Sequence, residues 1–180
     1  MKYFLRLVLI ILVIFCCIGL FKKVYADTII GYARVIDGDT LEINDKKIRL
    51  LCIDTPESNY RGKTQYCLDN ETDCGKLAKE GLQRMVGSSI IRCDYNKTDV
   101  YGRILGMCQK YVFYNEHLYW NTFNYKLIEE GYAWYYAGGK ECKPFKALFE
   151  TAKKEGYGLF NDDLGGFKEP KLWRKTKTNY

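Results

Sequence analysis

Two short segments gather charged side chains in a pattern that suits phosphate chemistry: Ile36-Asp37-Gly38-Asp39-Thr40, and Arg49-Leu50-Leu51-Cys52-Ile53-Asp54-Thr55-Pro56-Glu57. Singly, each has an ordinary reading, since Asp-Gly-Asp makes a hairpin turn and Asp-Thr-Pro ends a strand. Together they place carboxylates at neighbouring strand ends, where Asp39, Asp54 and the carbonyl of Thr55 form an all-oxygen set of the kind a hard cation such as Ca²⁺ takes. A third segment, Asp99-Val100-Tyr101-Gly102-Arg103, brings a second arginine. Planar guanidinium forks match phosphoryl oxygens, on which the transition state of phosphodiester cleavage gathers charge, and Glu57 is suited to orient or deprotonate the attacking water. The expected chemistry is phosphodiester hydrolysis by Arg49, Glu57 and Arg103 with Ca²⁺ as cofactor. His117 is the sole histidine, which excludes paired-histidine ribonuclease chemistry and histidine-bound metal; it is read as a surface residue on a strand-to-helix loop.

The elements that must position these residues follow from periodicity and turn chemistry. Residues 28–35, 40–43 and 47–53 read as strands joined by tight turns at Asp37-Gly38-Asp39 and Asn44-Asp45. An amphipathic helix is expected over 76–86, with Asp73 as N-cap and Gly87 as its stop. Residues 89–93 and 104–111 read as a hairpin whose polar tip holds Asn96-Lys97-Thr98-Asp99. Further helices are expected over 121–130 and 144–155, closed by Gly131 and Gly156. Five strands, one helix after the third and two at the end, give an α+β chain: a five-stranded OB-type β-barrel with three accessory helices. Nothing after Gly166 has a periodic pattern.

The three chemical segments, in this order, resemble the staphylococcal (thermo)nuclease family. The resemblance implies an OB barrel with three helices and Ca²⁺-assisted attack of water on DNA or RNA, endonucleolytically. It places Arg49, Glu57 and Arg103 on catalytic positions and Asp39, Asp54 and Thr55 on the calcium site. Val100 stands where the family's best-known member has a phosphate-contacting lysine. Tyr101 is a substrate-binding candidate, as are Tyr135 and Tyr136 in the run Trp134-Tyr135-Tyr136, whose other reading is packing of the barrel against the last helix. The same barrel also serves as a non-catalytic nucleic-acid-binding module; that alternative predicts loss of Arg49, Glu57 or Arg103, and all three are present.

The N-terminus carries Lys2 and Arg6, an apolar run over 7–21, then Lys22-Lys23 and a small-residue site at Val24-Tyr25-Ala26. This is the layout of a signal peptide, with a retained membrane anchor as the alternative. The expected organisation is 1–26 as signal peptide or anchor, 27–166 as the thermonuclease-like domain and 167–180 as a basic C-terminal tail. The product is a secreted or periplasmic monomer, or a membrane-anchored one. Lys2, Arg6, Lys22 and Lys23 have no acid among them, so the net charge falls from +6 to +2 beyond Ala26 and global basicity is no argument for nucleic acid. The remaining excess, Lys168, Lys171, Arg174, Lys175 and Lys177, reads as a solvated tail. Beyond Cys16 and Cys17 lie six cysteines, an even number that in an exported chain suggests disulfides. Cys93 and Cys108 sit on opposite arms of the expected hairpin and Cys67 and Cys74 bracket a short loop; the disulfide-bearing branch of the family supports both pairs. Cys52 and Cys142 have no evident partner, and Cys52 is read as a buried thiol. Mass spectrometry of the exported protein should show a chain starting at Asp27, whereas an intact Met1 would rule out cleavage.

Overall fold

In the computed structural model, residues 27–114 and 117–177 are described; the expected targeting segment lies outside them. β1 (Asp27–Tyr32) and β2 (Arg34–Asp37) are successive stretches of one bent segment, broken at Ala33. β3 (Thr40–Ile43) follows through the Gly38-Asp39 turn. Asn44 and Asp45, residue types that tolerate the left-handed region, both take positive φ (50° and 61°) and turn the chain into β4 (Lys46–Leu50). β4 lies parallel to β7 (Ile104–Tyr114), which pairs antiparallel with β6 (Ile90–Thr98). The sheet order is β1-β6-β7-β4-β3-β2. Its two outer positions are therefore held by one continuous segment, and the sheet curls into the OB-type α+β arrangement expected from the sequence.

Alternation supplies the interior. Leu41, Ile43, Ile48, Leu50 and Ile91 turn inward and are buried, each contributing about 1.5–3 kcal/mol by leaving water. They meet α1 (Cys74–Val86) through Leu82 and Val86, α2 (Phe123–Glu129) through Phe123, Leu127 and Ile128, and α3 (Lys143–Lys154) through Phe145 and Phe149. Asp73 caps α1 as expected, its carboxylate accepting the Lys76 N–H at 2.7 Å. Buried Asn124 braces helix to barrel: it accepts the Cys108 N–H at 3.0 Å and donates to the carbonyls of Leu51 at 2.8 Å and Gly106 at 3.0 Å.

Five expectations are corrected. The helix expected over 121–130 begins at Phe123, because 121–122 belong to β8 (His117–Thr122), which pairs antiparallel with the far half of β7. His117 accordingly starts a strand rather than lying on a loop. β6 runs on to Thr98, so the hairpin tip is 99–103. Cys52 is no free thiol: it is bonded to Cys142, with Cα atoms 5.1 Å apart and 90 residues between them in sequence. The tail beyond 166 contains α4 (Pro170–Lys177), started by a proline and anchored by buried Trp173, with Phe167 buried just before it. Cys93–Cys108, in direct register across β6 and β7, and Cys67–Cys74 form as expected. Short β5 (Ile53–Asp54) pairs with β9 (Trp134–Tyr135) in a separate two-stranded sheet.

Loop-closure entropy makes the long-range disulfide the dominant one. Replacing Cys52 and Cys142 together by Ala should cost about 4–5 kcal/mol, and Cys67 with Cys74 about 2–3 kcal/mol. Urea unfolding of the two double variants checks the order, and equal midpoints would contradict it.

Candidate active site

Thr40, Arg49 and Leu105 are register partners across β3, β4 and β7, so alternation turns them to one side of the sheet. All three open into a cleft of about 660 Å³. A register shift between Val35 and Asp37 marks a bulge beside it, a device that re-aims side chains, and Asp37 and Asp39 both reach the cleft. Asp39 accepts Arg49 Nη1 at 2.9 Å and the Thr40 hydroxyl at 2.9 Å on Oδ1, and the Thr55 N–H at 3.3 Å on Oδ2.

Asp54 is brought in by an abrupt change of direction. Cys52 takes φ 71°, which ends β4 and sends Ile53-Asp54 toward β9. The Asp54 carboxylate, 1% exposed, accepts Arg49 Nη2 on Oδ1. It also accepts a guanidinium from the other end of the chain: Arg174 of α4 donates Nη1 to Oδ1 at 3.2 Å and Nη2 to Oδ2 at 2.7 Å. Arg174 Nη1 donates as well to Glu57 Oε1. Glu57 lies on a loop set by two neighbours. Fully buried Gln65 donates its N–H to the Glu57 carbonyl at 2.9 Å and its Nε2 to the Lys168 carbonyl at 2.6 Å. Gly75 lies so close that a Cβ there would stand 2.2 Å from the Glu57 carbonyl oxygen.

Arg103 enters from the hairpin tip. Asp99 folds that tip by accepting the N–H groups of Tyr101 and Arg103, each at 2.9 Å, and fixes the Arg103 side chain through Nε at 2.8 Å. Arg49, Glu57 and Arg103 thus line one cleft. Asp54 and Thr55 lie beneath its floor, both buried. Of the expected tyrosines, Tyr101 and Tyr136 line the cleft, 82% and 41% exposed. Tyr135 does not line it; it packs against the core from β9, while Trp134 is enclosed by Phe149, Phe160 and Phe167. Val100 is exposed at the tip beside the cleft.

Negative charge outweighs positive charge on one side of the cleft. Burial, then the nearby Asp39 carboxylate, push the Asp37 carboxyl above its ordinary value. Burial also raises Glu57, helped by Asp39 and Asp37 and opposed by Arg174. Burial works against the Arg49 charge, yet Asp39 and Asp54 more than offset it and raise its pKa. Arg174 is raised in the same way against burial, by Asp54 and Glu57. At the tip, burial of Asp99 is outweighed by hydrogen bonds from Arg103 and Tyr101, which hold its carboxyl below the usual range.

Barrel and cleft together define a class: an OB-type barrel on whose wall arginines and carboxylates converge. Residues 47–162 match the family described as "Staphylococcal nuclease homologue", and the chain belongs to that family. It is 28% identical over 148 residues to a protein of Escherichia coli named "Uncharacterized endonuclease", covering 80% of this chain and 83% of that one. It is 30% identical over 157 residues to "Protein ParB" of Escherichia coli, covering 81% of this chain and 78% of that protein. It is 39% identical over 87 residues to "Succinoglycan biosynthesis protein ExoI" of Rhizobium meliloti (strain 1021), covering 46% of this chain and only 43% of that protein's length.

Two cleft residues escaped the sequence reading. Tyr60 lines the cleft with Arg61 stacked over its ring, 5.6 Å from the centroid. Arg174 was read as part of a solvated tail; Pro170 and Trp173 were the available signals, and both are weak in a helix of eight residues.

Because the Asp99 pKa is depressed on folding, its contribution to stability is complete above the ordinary aspartate range near ~4 and is lost as pH falls through the lower folded value. Asp99→Asn should remove this acid-side loss and lower stability at neutral pH. Thermal melts between acid and neutral pH check it, and identical profiles for variant and wild type would count against the assignment.

Proposed function

We propose that this protein is an exported, Ca²⁺-dependent endonuclease that hydrolyses phosphodiester bonds of DNA or RNA. The observation that carries the reading is the convergence of Arg49 from β4, Glu57 from the loop beyond β5 and Arg103 from the hairpin tip on one cleft open to solvent. Arg49 and Arg103 hold phosphoryl oxygens with their guanidinium forks, and both are already aimed by carboxylates, Asp39 and Asp54 for one and Asp99 for the other. Glu57 orients the attacking water and takes its proton. Tyr101 and Tyr136, with Tyr60 beside them, offer ring faces to the bases.

The donor chemistry fits a hard divalent cation. Among the described residues no group of three acidic, cysteine or histidine side chains surrounds one point; the set assigned here is the Asp39 and Asp54 carboxylates with the Thr55 carbonyl, water completing the shell. Burial first, then neighbouring carboxylates, raise the Asp37 and Glu57 carboxyls beside this set. When bound, Ca²⁺ supplies charge neutralisation at a phosphoryl oxygen. Export is supported by the engagement of all six cysteines beyond the N-terminal segment in disulfides, bonds that persist in oxidising compartments. No helix among the described residues is long and apolar enough to cross a membrane.

Single-stranded DNA and RNA should be degraded in the presence of Ca²⁺ and left intact in chelator. Glu57→Ala and Arg103→Ala should each lower the rate by about 10²–10³ while substrate binding persists, the usual cost of losing one transition-state contact. Undiminished cleavage by Glu57→Ala would remove it from the mechanism.

A further inference from the structure

Arg174 comes from α4, outside the segment matched by the family, and yet it holds the carboxylates on which the proposed metal chemistry depends. Its guanidinium spans both oxygens of Asp54 and reaches Glu57 Oε1. Asp54 Oδ1 also accepts Arg49 Nη2. A carboxylate offers about four lone-pair directions, and on Asp54 three of them are used by arginine N–H groups.

A Ca²⁺ ion bound to Asp54 would sit roughly 2.3–2.6 Å from one of its oxygens. Arg174 Nη1 and Nη2 already lie 3.2 and 2.7 Å from the two Asp54 oxygens, so an ion ligated by either oxygen would be held beside the guanidinium, and two cations so placed repel. Arg174 and the metal ion are therefore alternatives. The helix that delivers Arg174 is no loose end: Trp173, the preceding residue, is buried, Phe167 is buried, and the Lys168 carbonyl accepts Gln65 Nε2 at 2.6 Å. Gln65 in turn holds the Glu57 loop. α4 and the carboxylates are thus fixed relative to each other, and only the long Arg174 side chain has to swing for the exchange.

We propose that Arg174 is an internal counter-ion that holds the Asp54 carboxylate in the metal-free enzyme, sets the affinity for the divalent ion by competing with it for Asp54, and releases Glu57 for water when displaced. The inference rests on the metal site proposed above. It adds that metal affinity is tuned by a residue that ligates nothing, and that the metal-free state is held closed by an ion pair between the C-terminal helix and the water-activating carboxylate.

Calorimetric titration of CaCl₂ into the purified wild type, Arg174→Gln and Asp54→Asn tests both layers separately. If Arg174 closes the site for nine-tenths of the time or more, its removal should tighten Ca²⁺ binding by about tenfold or more, since apparent affinity is reduced by the fraction of competent protein. Arg174→Gln should also melt lower than wild type in chelator, because Asp54 loses a partner, and gain more than wild type from saturating Ca²⁺. Binding that is equal or weaker in Arg174→Gln, yet abolished in Asp54→Asn, would overturn the competition and leave the metal site standing. No Ca²⁺ binding by wild type or Arg174→Gln would overturn both. The melt in chelator shows whether Arg174→Gln is folded; should it be unfolded there, Arg174→Lys, which keeps the charge but loses the two-pronged grip, should still bind Ca²⁺ more tightly than wild type.

Discussion

A carboxylate with almost no access to water must be neutralised where it stands, and Asp54 is that carboxylate. Much of the architecture serves this one requirement. β4 supplies Arg49, three residues before the positive-φ turn at Cys52 that redirects the chain, and α4 supplies Arg174 from 120 residues away. The Cys52–Cys142 disulfide secures the turn, and the Tyr136 N–H to Cys52 carbonyl bond at 2.9 Å secures it again from the β9 side. Removing either arginine leaves a buried negative charge undercompensated, so the site's charge balance and the docking of the C-terminal helix are one problem with one solution.

The parts of this arrangement that were legible in the sequence are those encoded locally. Asp37, Asp39, Arg49, Asp54 and Glu57 all fall within 21 consecutive positions, on a meander whose turns announce themselves, so their proximity follows from strand pairing alone. Cys93 and Cys108 were legible for the same reason, as arms of one hairpin. Long-range choices were not. Cys142 carries no local mark of its partner 90 residues earlier. β8 went unread, and its last two residues, 121–122, were taken into the following helix; the deciding fact, an edge of β7 able to accept a strand, belongs to the tertiary structure. α4 buries only Pro170 and Trp173 of its eight residues, too little to raise a period above a run of lysines.

The cleft has two walls of different construction. One is barrel: Thr40, Arg49 and Leu105 are locked in register by backbone hydrogen bonds on both sides. The other is side chain on side chain: Arg61 over Tyr60, Lys171 over Tyr136, and Arg174 across the carboxylates. Contacts of the second kind break and re-form far more readily than a strand shifts. Rigid positioning of Arg49 and an adjustable wall of tyrosines and cations are thus combined over a single opening.

Gly75, the second residue of α1, faces the Glu57 carbonyl where no Cβ has room. A methyl group there would have to displace either the start of α1 or the loop that presents Glu57. Position 75 is consequently closed to any side chain, although it carries no functional group itself. In a lineage of such chains, the historical record of the glutamate would be kept partly by a residue with no side chain at all.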